Sequence, residues 1–116
     1  MTRVRAIDED AFPEFVADVW AAAGWRVESD EDGYVAVRDG DRHRLRAVPG
    51  DERVTGDAVN DVAMEPEPVI LVAQAGYTRR AVDVGEAHGV DLVGPDALSR
   101  LASATDVDVP ATNAEK

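Results

Sequence analysis

Apolar positions change period several times along the chain, and each change marks an element. After Asp8-Glu9-Asp10, read as an N-cap, Phe12, Phe15, Val16, Val19, Trp20 and Ala23 recur at helical spacing until Gly24. Pro13 falls in the first turn, where its missing N–H costs nothing. Trp25-Arg26-Val27-Glu28 alternates like a short strand, Ser29 to Gly33 reads as a turn, and Tyr34 to Arg38 reads as a second strand. Asp39-Gly40-Asp41 closes a hairpin onto a third strand, Arg42 to Val48. Pro49 to Glu52 is a loop, and Thr55 to Met64 is a weak helix with Ala58, Val59, Val62 and Ala63 on one side. Pro66 and Pro68 break it.

Val69-Ile70-Leu71-Val72-Ala73 is continuously apolar, as expected of a central strand covered on both faces. Thr78 caps a helix to His88 whose inner face is Ala81, Val84, Gly85 and His88. Asp91-Leu92-Val93 is a short strand, and Pro95 opens a last helix through Leu98, Leu101 and Ala102. The pattern predicts an α/β domain with a mixed sheet and the order α-β-β-β-α-β-α-β-α, antiparallel at the start and parallel through a crossover at the end. A single domain over 1–103 and a frayed polar tail over 104–116 are expected.

The 116 residues suffice for one core, since a chain of this size buries roughly two thirds of its unfolded surface. Without cysteine there is neither a disulfide framework nor a thiolate metal site, and two histidines exclude most all-His sites. No apolar run approaches the ~20 residues of a membrane span, and Met1 to Asp8 carry no signal-peptide core. These features predict a cytoplasmic protein with no membrane partner.

The net charge is -12: of 24 acids 15 are Asp, and 11 of 12 bases are Arg, while 19 Ala and 18 Val supply most apolar mass. This composition resembles that of salt-in halophiles, in which carboxylates hydrate the surface and small apolar residues temper a hydrophobic effect that salt strengthens. A GC-rich genome would favour the same residues. The total charge therefore says little about partners.

The run from Val69 to Leu98, with its apolar strand leading to Tyr77-Thr78-Arg79-Arg80-Ala81, resembles the C-terminal half of Mrr-type restriction endonuclease domains. There an aromatic-Thr-x-x-Ala helix follows such a strand, and a further strand and a Leu-bearing helix complete the unit. Phe12 through Gly24-Trp25 looks like the family's opening helix, so the resemblance spans about residues 10–102. It implies the restriction-endonuclease-like fold. It also implies a divalent ion, usually magnesium, held by a helix-one Glu, a strand-two Asp and a strand-three Glu or Gln, with a Lys two residues on.

Carried over residue by residue, those positions hold Pro13, Gly33, Arg46 and Val48, and the chain's only Lys is Lys116. Strand alternation keeps Arg44, Arg46 and Val48 on one face, where guanidinium groups would repel a cation. A catalytically inactive domain with no cofactor is expected. Between Arg38 and Arg53 five Arg outnumber four acids, so the charge sign reverses locally. Arg38, Arg42, Arg44 and Arg46 are candidates to grip nucleic-acid phosphates, or else to pair with surrounding carboxylates.

Arg79 and Arg80 follow the Thr78 cap, where an anion or solvent-facing salt bridges would suit them. His43 points away from Arg44 and has no Ser or Cys to activate, His88 fits a helix C-terminus, and Trp20 and Trp25 read as core aromatics. Three functions stay open: a silent nuclease-like domain that binds DNA or a DNA-processing protein, an active endonuclease using magnesium on Asp30, Asp32 or Asp41, and a structural or homo-oligomeric protein.

Overall fold

A computed structural model describes residues 4, 7–31, 33–66 and 68–107. The elements follow the predicted order: α1 (Phe12–Ala22), β1 (Arg26–Asp30), β2 (Gly33–Arg38), β3 (Asp41–Val48), α2 (Gly56–Ala63), β4 (Val69–Ala73), α3 (Arg79–His88), β5 (Asp91–Val93) and α4 (Pro95–Ala104). One five-stranded sheet runs β1-β2-β3-β4-β5. The first two pairings are antiparallel and the last two parallel.

Helices cover the sheet on both sides, unequally. On one face α1 and α4 pack Phe12, Phe15, Val16, Val19, Trp20 and Leu98 against Ala36, Leu45, Ile70 and Val72. On the other, α2 and α3 bring Val59 and Ala81 onto Leu71 and Ala73, with Leu92 beside them. Those helices sit over the parallel end of the sheet. A Cβ on Gly85 would lie 2.5 Å from the Leu92 side chain, so glycine is what lets α3 approach β5 so closely.

Three local expectations change. No carboxylate caps α1: Ala11 is the N-cap and has no side-chain oxygen to accept from the first-turn amides, and the chain enters through a preceding turn in which the Asp8 carbonyl accepts from the Ala11 and Phe12 amides. The first hairpin is tighter than Ser29 to Gly33, because β1 continues to Asp30, which pairs directly with Gly33. His88 is exposed in the last turn of α3, where Gly89 ends the helix in the left-handed conformation, so it is not part of the inner face. The Asp39-Gly40 turn is as expected, with φ of 53° and 85°, the pair of positive angles that matches the twist of the flanking strands. Helix α4 reaches Ala104, and the Val107 amide bonds to the Ala102 carbonyl; positions 108–116 of the expected tail lie outside the described residues.

The motif around Tyr77 has a structural cause. The Thr78 hydroxyl accepts from the Ala81 amide at 3.1 Å and caps α3, and Ala81 is fully buried. The Tyr77 hydroxyl lies 2.6 Å from the Leu71 carbonyl and 3.1 Å from that of Val93, tying α3's approach to β4 and β5. Burial pushes the Tyr77 hydroxyl pKa far up.

Candidate functional site

The β1–β3 half of the second face is not covered by α2 and α3, and charged side chains occupy it. In an antiparallel pair, directly opposed residues share a face. Arg26 opposes Val37, Glu28 opposes Val35, Val37 opposes Arg42 and Val35 opposes Arg44. Arg26, Glu28, Asp30, Arg42, Arg44 and Arg46 thus stand on one side of the sheet around Val35 and Val37. Val35 is only 1% exposed although no helix among the described residues covers that side of it, which fits arginine stems lying across apolar floor.

The charges are matched. Arg44 Nη1 donates to both carboxylate oxygens of Asp30 at 2.9 and 3.0 Å, with 12% of the Arg44 side chain exposed. Arg46 donates through Nε and Nη2 to the two oxygens of Glu65, each at 2.6 Å, a planar fork that fixes both groups. Arg26 pairs with Glu28 at 3.1 Å on the exposed edge strand. The pairing reading weighed for these arginines therefore accounts for the two most enclosed of them.

The four expected phosphate-gripping arginines are not gathered on one surface. Arg38 opposes Asp41 and lies on the α1 side, its guanidinium 5.8 Å from the Trp25 ring centre, a cation–π contact. Trp25 in turn meets His43 edge-to-face at 5.5 Å, so His43 does point away from Arg44. Trp20 is buried, whereas Trp25 is half-buried at the edge of the core.

The positions expected to hold magnesium do not converge either. Pro13 is in α1, on the opposite side of the sheet from Arg46 and Val48. Gly33 has no side chain, and Val48 packs into the α2–α3 core. Of the substitute acids, Asp30 is held by Arg44, Asp41 falls on the α1 side by strand alternation, and Asp32 lies outside the described residues. Among the described residues no group of three or more His, Cys, Asp or Glu is disposed around a metal position. At the strand-three position that the resemblance implies for a metal ligand, Arg46 is pinned to Glu65, and a guanidinium does not supply the hard oxygen that a divalent ion takes.

Gln74 is a residue that hydropathy alone passes over. Only 2% exposed at the end of β4, its Nε2 donates to the carbonyls of Val4 at 3.0 Å and Ile7 at 2.7 Å, and its Oε1 accepts from the Gly50 amide at 2.8 Å. It clips the first described residues and the β3–α2 loop to the sheet. The signal was a lone amide inside the apolar run Val69 to Ala75.

Arg79 and Arg80 are exposed at the start of α3, where the Arg80 stem crosses Gly56. Among the described residues no helix is long and apolar enough to cross a membrane. No protein-family model, curated protein or solved structure matches the chain. What is established is thus a mixed α/β domain that has, among the described residues, a five-stranded mixed sheet and four helices, half of one sheet face being left to paired charges.

Proposed function

We propose that this chain is a catalytically silent domain of the restriction-endonuclease-like type, one that binds a DNA-processing protein or nucleic acid through the open arginine face and does not cut. The element order and the antiparallel-to-parallel sheet support that fold reading. The observation that carries the functional reading is the Arg46–Glu65 fork. It puts a fixed positive charge where a metal-holding amide or acid is expected, and it occupies the nearest carboxylate. Two residues on, Val48 offers no group to activate water.

Charge matching favours a protein partner over bare DNA. A phosphate gains Arg44 or Arg46 only by displacing a carboxylate already bonded at two points, and the protein carries a net charge of -12. A protein surface bearing both signs can pair with the outer edges of these ion pairs without breaking them. With four arginines on that face, Arg26, Arg42, Arg44 and Arg46, DNA binding would follow a log–log salt slope no steeper than about -4.

The test combines plasmid nicking with magnesium or manganese and fluorescence polarisation of a labelled duplex across a potassium chloride series. No nicking is expected at micromolar protein, together with weak binding that Arg44→Gln/Arg46→Gln removes. Nicking that Asp30→Asn abolishes would overturn silence. Binding unchanged in the double variant would move the contact off this face.

A further inference from the structure

We propose that the groove between β3 and α2 is a binding site for a small apolar carboxylate. The groove is a cavity of about 360 Å³ at the boundary between the open and covered halves of the second face. Val48, Val54, Val62 and Leu71 give it an apolar lining, and Arg46, Glu52 and Arg53 give it charged groups. An apolar lining with a few polar groups is the usual chemistry of a small-molecule site.

Arg53 supplies the recognition. Arg46 is committed to Glu65, whereas Arg53 makes no ion pair among the described residues. Its loop is fixed on both sides. The Gly50 amide is bonded to Gln74 at 2.8 Å, and Val54 both donates to the Gly76 carbonyl at 2.9 Å and accepts from the Thr78 amide at 3.0 Å. An arginine on a loop anchored this way loses little further backbone freedom when it meets a ligand.

Size and charge define the ligand class. At ~30 Å³ per water, the cavity holds about a dozen water volumes, which suits a ligand of roughly ten non-hydrogen atoms. Expelling water from the valine and leucine lining favours an aryl or branched aliphatic body. Glu52 in the lining and Glu65 beside Arg46 oppose a dianion more strongly than a monoanion, so a carboxylate fits better than a phosphate monoester. This inference does not rest on the open face binding a macromolecule, and DNA-binding results leave it standing.

Titration of the ¹⁵N-labelled protein with phenylacetate and with its neutral analogue phenylacetamide tests it. Phenylacetate is expected to bind saturably, with shifts concentrated in residues 48–58. Phenylacetamide is expected to bind about tenfold more weakly, as is phenylacetate to Arg53→Gln, the loss of one charge-assisted contact. Ala58→Trp, which adds a ring to the lining from an exposed helix position, should abolish binding with the circular dichroism unchanged. Arg79→Gln, on the exposed start of α3, should bind as the parent does. The proposal is overturned by equal affinity for acid and amide, by insensitivity to Arg53→Gln, by shifts centred elsewhere, or by no saturable shift at millimolar ligand.

Discussion

The second face of the sheet joins two halves built on different principles. Over β4 and β5, Leu71, Ala73 and Leu92 lie beneath α2 and α3, and every residue of β4 is buried. Over β1 to β3 the same face carries Arg26, Glu28, Asp30, Arg42, Arg44 and Arg46 in place of a helix layer. The covered half is held by apolar area removed from water, the open half by matched charges over a narrow apolar floor. Burial of apolar groups is worth more per residue than exposed ion pairing, so the two halves should differ sharply in how they respond to substitution.

The widest separation should appear in the core. Leu71→Ala removes a buried side chain from beneath α2 and α3 and should cost ~2–5 kcal/mol in urea unfolding. Val37→Ala, half-buried on the open half, should cost under about 1 kcal/mol. Equal losses would erase the distinction between covered and open regions.

Next comes the clip at the sheet's end. Gln74→Leu deprives three buried or half-buried backbone groups of their partner and should destabilise by about 2–4 kcal/mol, with faster hydrogen exchange at Gly50. A change under about 0.5 kcal/mol would mean that water replaces the amide there.

Tyr77→Phe should cost about 1 kcal/mol near neutral pH by removing a hydrogen bond to the Leu71 carbonyl. Because burial raises the folded-state pKa above the ordinary 10.0, the unfolded chain ionises first as pH rises. The hydroxyl's contribution is complete below pH 10.0 and is lost progressively above it, towards the folded value. Denaturation at pH 8 and pH 11 should therefore show a steeper alkaline loss in the parent than in Tyr77→Phe, and parallel losses would remove Tyr77 as the cause.

The smallest effects belong to the open half. A double-mutant cycle on Arg44 and Asp30, whose side chains are 12% and 39% exposed, should give a coupling of ~0.5–1.5 kcal/mol that weakens in molar salt. The same cycle on Arg26 and Glu28, 75% and 47% exposed, should give about 0–0.5 kcal/mol. A stronger Arg26 coupling would show that edge-strand charges do more than keep the edge soluble.

The elements were readable because each imposes a period that burial enforces locally. Val69 to Ala73 lacks alternation because both faces of β4 are covered, and Thr78 caps α3 through an amide only three residues away. Arg44, Arg46 and Val48 share a face for the same reason of period two. The separation of Arg38 from them was also within reach, since the two-residue Asp39-Gly40 turn places Arg38 opposite Asp41.

Partner choice lay beyond such rules. Arg44 finds Asp30 across 14 residues and Arg46 finds Glu65 across 19, and a chain with 24 acids offers too many equivalent carboxylates for spacing to select one. Gln74 looks like a flaw in an apolar run until the chain brings Val4, Ile7 and Gly50 to it. The sequence by itself determined element order, strand faces and the Thr78 cap of α3, because those depend on neighbours a few residues apart. Only the tertiary structure decided which charges neutralise one another and where a cavity opens beside Arg53, because both depend on how distant segments pack.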